Sequence, residues 1–305
     1  MKFRWTSVAW SIAYLLLLLS LSTPLLIITT LFLTIPAVVL FTTLSTKQFI
    51  VHLLPILLIV GLITPVYVLL ALYFLIPALV MGRWYKKRSS ALSTIMAGTV
   101  TILGEFLLLL VIGTALFNFD LSTYVNDMMQ MVMSPLSDLG TGNPMISEFN
   151  LTSEDVNTIS HMTIQVIPMT LMLSSFMMAV ITHSIVRPIL NSMGYAVPKL
   201  KPAREWRLSR SFIWYYLLGV VISLFFGNSD SSFMLMISAN LLPLLQIVFK
   251  IQTIGFVFFL VHERKWSKIV AILLSLLVVW LPGLWIIGII DIAFPLRELV
   301  KKSKR

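Results

Sequence analysis

Cysteine is absent from this 305-residue chain, which excludes disulfides, thiolate catalysis and Cys-based metal sites and leaves the redox compartment unreadable. Charge is scarce as well. Asp, Glu, Lys and Arg make up 11% of the residues, where soluble domains carry roughly 25%. With 58% hydrophobic residues and a mean hydropathy of +0.97, the chain is no ordinary soluble globule. Acidic groups are the rarer sign, 12 against 22 basic ones. The resulting net charge of +10 raises the question of nucleic acid. The basic residues are spread over short gaps and form no separate basic domain, so nucleic-acid binding is not expected. The chain also lacks Gly-x-Ser-x-Gly, His-Glu-x-x-His, a phosphate loop and a dinucleotide fingerprint. Neither an enzyme nor a cofactor is expected.

What is present is a series of apolar runs near the 17–25 residues that cross a bilayer. They predict an all-α, polytopic transmembrane bundle of about ten spans (eight to ten): roughly 6–22, 25–44, 48–62, 65–83, 91–116, 158–187, 211–226, 233–261, 267–281 and 284–298. The N-terminus, with Lys2 and Arg4 ahead of an apolar run, resembles a signal peptide. No small-x-small cleavage site follows, so an uncleaved first span is expected. Pro36, Pro55, Pro77, Pro168 and Pro243 fall inside spans and imply kinks whose freed backbone groups neighbouring helices satisfy. Three segments follow: a membrane bundle over 1–116, an extracytoplasmic segment over 117–157 and a second bundle over 158–305.

Charge orients these spans. Of the 22 Lys and Arg residues, 21 lie in gaps, at span edges or at the two ends; Lys250 alone sits inside a run. Lys2/Arg4, Lys47, Arg83 to Arg88, Arg187 to Arg210, Arg264/Lys265/Lys268 and the tail from Arg297 are therefore expected in the cytoplasm, with both termini. The gap 117–157 carries six acidic residues and no basic one and belongs outside. Trp5, Trp84, Trp206 and Trp266 lie beside the basic gaps, as an inner aromatic belt requires. Over 267–298, two short crossings turning at Pro282-Gly283 keep the tail inside; a re-entrant hairpin does the same. Leu121, Tyr124/Val125, Met128, Val132 and Leu136 recur at helical spacing and predict an amphipathic helix on the outer surface. Thr152-x-x-Asp155 reads as a capping box, and Asn150-Leu151-Thr152 matches the glycosylation sequon. Five crossings on each side of the outer segment would suit an inverted repeat, but the prolines of the halves do not match.

Two charges are stranded in the bilayer. Glu105 lies mid-way along the fifth span, where an ionised carboxylate costs several kcal/mol unless paired, hydrated or protonated. Lys250 lies mid-way along the eighth. A Glu105–Lys250 pair is expected, as part of a solute or ion site or as a lock between helices. Gln246, Lys250 and Thr253 share one helical face, flanked by Asn240 and Gln252; such a polar stripe faces a bundle interior or cavity, or is interhelical glue. Asp291 reads as a structural partner of Arg297. Ser93/Ala97/Thr101 and Ser90/Thr94/Gly98 form small-residue rows suited to close helix packing. Met128, Met129, Met131 and Met133 offer thioethers to copper(I) but serve equally as flexible apolar filler, and no metal site is expected. In the cytoplasmic gap, Lys199, Lys201, Arg204, Arg207 and Arg210 are candidate contacts for anionic lipid or a membrane-protein partner.

Several stretches carry a family resemblance: Phe74-Leu75-Ile76-Pro77-Ala78-Leu79-Val80-Met81-Gly82, the segment Gly194 to Leu208 with Glu205-Trp206-Arg207-Leu208, Asn240-Leu241-Leu242 with Lys250-Ile251-Gln252, and Gly288-Ile289-Ile290-Asp291 before Leu296-Arg297. Together they resemble the YybS-like family of bacterial multi-pass membrane proteins, which implies a bacterial plasma-membrane location and assigns no activity. The N-terminal half of that family resembles the substrate-capture subunits of energy-coupling-factor vitamin importers. Of the small-residue row those subunits dock with, only Ala9-x-x-x-Ala13 is present here. The family's genes neighbour a membrane-bound cyclic-dinucleotide phosphodiesterase, which implies envelope or osmotic physiology. The expected function is binding or transport of a small solute near Glu105, Gln246 and Lys250, or else a non-transporting scaffold that works through its basic loops.

Overall fold

With no water to take up backbone hydrogen bonds, each apolar run closes its bonds within itself as helix. The computed structural model describes residues 5–140, 153–226 and 231–302. Among them are twelve α-helices, one 3-10 turn (Ala203–Glu205) and no strand. The helices are α1 Trp5–Ser20, α2 Leu26–Thr43, α3 Thr46–Ile63, α4 Pro65–Lys86, α5 Ala91–Phe117, α6 Leu121–Gly140, α7 Ser153–Ser192, α8 Ser211–Phe226, α9 Ser232–Glu263, α10 Lys268–Trp280, α11 Trp285–Ala293 and α12 Leu296–Lys302. The all-α expectation holds.

Small polar residues set several ends. Ser45 forms a capping box with Gln48 at the start of α3, Ser90 accepts from the Ser93 N–H at α5, and Ser267 from the Ile269 N–H at α10. Asn118 closes α5 in the left-handed conformation, with φ 50°. The capping box expected at Thr152, the sequon, Lys2/Arg4 and the last three residues lie outside the described residues.

Among the described residues six helices are long and apolar enough to cross a membrane: α2, α3, α4, α5, α7 and α9. The segments α1 and α8 are apolar but have 16 residues each, about 24 Å at 1.5 Å per residue. Helices α10 and α11 meet at 109° across a short break. At nine residues, α11 reaches only about 14 Å, half of a ~30 Å hydrocarbon core. The bent pair over 267–298 has the form of a broken span or a re-entrant hairpin.

The chain packs as two compact units, Met1–Phe119 with Thr170–Leu200, and Asp120–Met169 with Lys201–Arg305. These cut across the contiguous division at 116 and 157 because α7 contributes to both. In unit 1, Tyr14, Leu18, Leu33, Val38, Ala78, Met81, Ile95, Ala179 and Leu190 form a close-packed core. Gly98, from the Ser90/Thr94/Gly98 row, sits so tightly that an added Cβ would lie 2.8 Å from Met81 Sδ and 3.3 Å from Ala179 Cβ. That row serves packing inside the unit. Leu62, Leu69, Leu108, Val111 and Leu116 point outward, as side chains facing lipid do. In unit 2, Leu245, Phe249 and Ile292 form a smaller core ringed by Tyr216, Trp285 and Ile289.

Candidate functional site

The polar face of α9 does three different jobs along its length. Asn240 bridges backbone groups beside a proline. Pro168 lies inside α7, and Asn240 inserts its amide next to it: Met169 N–H donates to Oδ1 at 2.8 Å, and Nδ2 donates to Gln165 O at 2.6 Å and to Met236 O at 2.6 Å. The side chain thus bridges a backbone donor and acceptor one turn apart on a helix that contains a proline. Its hydrogen-bonding capacity is taken up by structure.

Gln252, twelve residues on, braces the cytoplasm-facing gap expected from the sequence. It is fully buried, donates to Asp291 Oδ2 at 2.5 Å and accepts from the Leu208 N–H at 2.9 Å. Asp291, also buried, is paired with Arg297 at 2.8 Å, as the sequence suggested. Arg297 in turn donates to the carbonyls of Arg204 and Trp206 at 2.9 and 2.8 Å and stacks over Phe259. Each buried charge and amide here is satisfied, the condition under which a polar network stabilises a fold. The network pins the strap 201–208, and Trp206 Nε1 closes it by donating to Lys201 O at 2.8 Å. Lys201, Arg204, Arg207 and Arg210 are left exposed, with Lys199 exposed on unit 1. Arg204 Nη1 approaches His262 Nε2 at 3.0 Å.

Lys250 lies between these braces. Its Nζ donates to Val279 O at 2.9 Å, one of the last carbonyls of α10, which have no partner within their own helix. A cation at a helix C-terminus also complements the helix dipole. Thr253, on the same face, has its hydroxyl 3.0 Å from both Phe249 O in its own helix and Leu284 O where α11 begins. Gly288 seats α11 against α9, since a Cβ there would collide with the Phe249 carbonyl oxygen. Lys250 and Thr253 therefore hold the tip of the α10–α11 hairpin. Among the described residues no carboxylate lies within ion-pair distance of Lys250. Gln246, one turn earlier and half-buried, has no hydrogen-bond partner among them.

The two members of the expected Glu105–Lys250 pair belong to different units. Lys250 is engaged by the end of α10, and Glu105 belongs to unit 1. There it is buried, at 6% exposure, and neither carboxylate oxygen has a hydrogen-bond partner. The structure also shows two polar contacts that spacing did not reveal, because each joins residues far apart in sequence. Tyr85 Oη and His183 Nδ1 are 2.8 Å apart in the core of unit 1. Ser11 Oγ lies 3.0 Å from His52 Nδ1. Ser11 Oγ also lies 2.9 Å from Ser7 O, and the His52 contact ties α1 to α3.

Comparison with known proteins now adds what geometry cannot. A family described as "Predicted membrane protein (DUF2232)" matches residues 11–292. The chain belongs to this family. It is also similar to "Uncharacterized protein YybS" of Bacillus subtilis (strain 168), with 21% identity over 229 residues, 72% of each chain. The resemblance read from the sequence is confirmed. No solved structure matches. Membership in the DUF2232 family accounts for the apolar helices over nearly the whole chain, and the matched region includes Glu105, Asn240, Gln246, Lys250 and Gln252.

Proposed function

We propose that this DUF2232 protein is a non-enzymatic, multi-pass protein of the bacterial plasma membrane that binds or moves a small anionic solute at the Gln246–Lys250 face of α9. The observation that carries this reading is the state of Lys250. It lies near the middle of a 32-residue helix, bonds one backbone carbonyl and has no carboxylate partner among the described residues. An ammonium group in a bilayer is costly without a counter-charge, and Gln246 beside it has a free amide. An anionic, acceptor-rich solute supplies what both lack. Broken helix ends near the midplane, such as those of α10 and α11, are a recurrent setting for solute sites.

The topology in this reading is eight crossings (α1 to α5, α7, α8 and α9) with α10–α11 as a re-entrant hairpin and both termini cytoplasmic. Lys250 and Thr253, which hold the hairpin tip, lie only about 15–20 Å of helix from the end of α9, half the depth of the bilayer. Arg297 then returns the chain to the strap beside that same end. The exposed strap favours a second reading, a scaffold that docks anionic lipid or a membrane partner through Lys201, Arg204, Arg207 and Arg210.

Thermal unfolding of purified protein against a panel of anionic metabolites separates the two. The solute reading expects one member to stabilise the wild type, by about 2.7 kcal/mol at a hundredfold excess over Kd. Lys250→Met and Gln246→Leu should lose that response. If both keep it, while Arg204→Glu with Arg207→Glu removes a co-purifying partner, the scaffold reading stands.

A further inference from the structure

Helices α4 and α5 form a hairpin joined by the short turn 87–90 and pack against each other. Counting helical rise from that turn, Tyr73 on α4 and Glu105 on α5 both lie about 20 Å along their helices, at matching depth. Their surroundings interlock. The Tyr73 ring packs against Phe106, the neighbour of Glu105, with centroids 6.3 Å apart, and Tyr73 lies within electrostatic range of the Glu105 carboxylate. Both residues carry orphaned oxygens. Glu105 Oε1, Glu105 Oε2 and Tyr73 Oη are buried and have no hydrogen-bond partner. A third oxygen source comes from the sequence. Pro77 sits four residues after Tyr73 inside α4, and having no N–H it leaves the Tyr73 carbonyl without its usual helical donor.

Orphaned buried polar groups are rare in folded proteins and call for an explanation. A carboxylate, a phenol and a released carbonyl are hard oxygen donors, the set that suits alkali and alkaline-earth cations and not soft metals. One carboxylate supplies one negative charge, which matches a monovalent cation. No lysine or arginine of the described residues lies within ion-pair distance of Glu105, so either a proton or a cation from outside the chain neutralises it. We propose that Glu105 and Tyr73 form a site for a monovalent metal cation, Na⁺ or K⁺, within the α4–α5 hairpin of unit 1. The site stands apart from the solute reading, since it involves no residue of α9.

The test is thermal unfolding of the purified full chain in detergent at constant ionic strength, with NaCl or KCl exchanged for N-methylglucamine chloride. One metal cation should raise Tm saturably over the bulky organic cation. Glu105→Gln, which keeps the shape of the side chain, should abolish the rise. Tyr73→Phe should weaken the apparent affinity at least about tenfold, the loss of a charge-assisted oxygen contact. Equal Tm in all three salts for the wild type overturns the site. So does a Glu105→Gln variant that keeps the cation response. If Glu105→Gln fails to fold, Tyr73→Phe decides: unchanged affinity overturns the site, and a tenfold loss supports it.

Discussion

Individual side chains on α9 can be told apart by what they already hold. Asn240 holds a backbone bridge: replacing it with Ala leaves Met169 N–H and Gln165 O without their bridging amide. A loss of about 1–3 kcal/mol in stability is expected, the cost of unsatisfied buried polar groups. It would be read as a lower urea or thermal midpoint. Asp291 holds a charge. Asp291→Asn leaves the guanidinium of Arg297 without its counter-ion, and breaking a buried pair costs about 3–5 kcal/mol. The double variant Asp291→Asn with Arg297→Met should recover part of that loss; if it is no better than the single variant, the pair is not what stabilises the strap. The same residues show how far a sequence can be read. Asp291 and Arg297 are six apart and one helix end away from each other, so their pairing was visible in the spacing. The Gln252 bond to Leu208 joins residues 44 apart, and only the packing of the strap on α9 brings them together. Glu105 and Lys250 were the natural pair on charge alone. The lone carbonyl at the end of α10 supplied Lys250 with a partner that no side-chain count could show.

At the scale of helices, hydrophobic run length located every apolar element but left open how the last two are used. A run of apolar residues from 269 to 290 looks the same whether it crosses once, twice or turns back. What decides is where the tip is held, and that depends on Lys250, Thr253 and the close seat of Gly288. Gly288→Ala should push α11 away from the Phe249 carbonyl and destabilise the protein by about 1–3 kcal/mol, as overpacking does, with a fall in melting temperature as the measurement. The cysteine-free background makes the hairpin itself easy to map. Pro282→Cys should stay unlabelled by a membrane-impermeant maleimide added to intact cells, whereas Asp120→Cys should label. Labelling of 282 from outside would restore two full crossings. The amphipathic pattern over 121–136 was legible for the same reason the spans were: its period is local, and α6 forms there.

Over the whole chain, composition and charge distribution carried the fold class, and the family match agrees with it. What they could not carry is the grouping of helices into two units, since the residues that pack together in unit 1 come from the C-terminal part of α7 and the first five helices. That grouping separates the two stranded charges and gives each a different task, a cation site proposed for Glu105 and a solute site for Lys250. In the proposed topology the positive charge gathered in the gaps puts the strap and the tail on the cytoplasmic side. Ser303→Cys should therefore label only after the membrane is permeabilised.

The solute site is tested most directly by its chemistry in place. Gln246→Cys, the single thiol in the chain, would be exposed to a small anionic, water-soluble methanethiosulfonate in membranes. Rapid modification is expected, slowed when Lys250→Met removes the positive charge beside it. A thiol that ignores the anionic reagent and reacts only with a lipid-soluble one would place Gln246 against lipid and contradict a solute-binding face on α9.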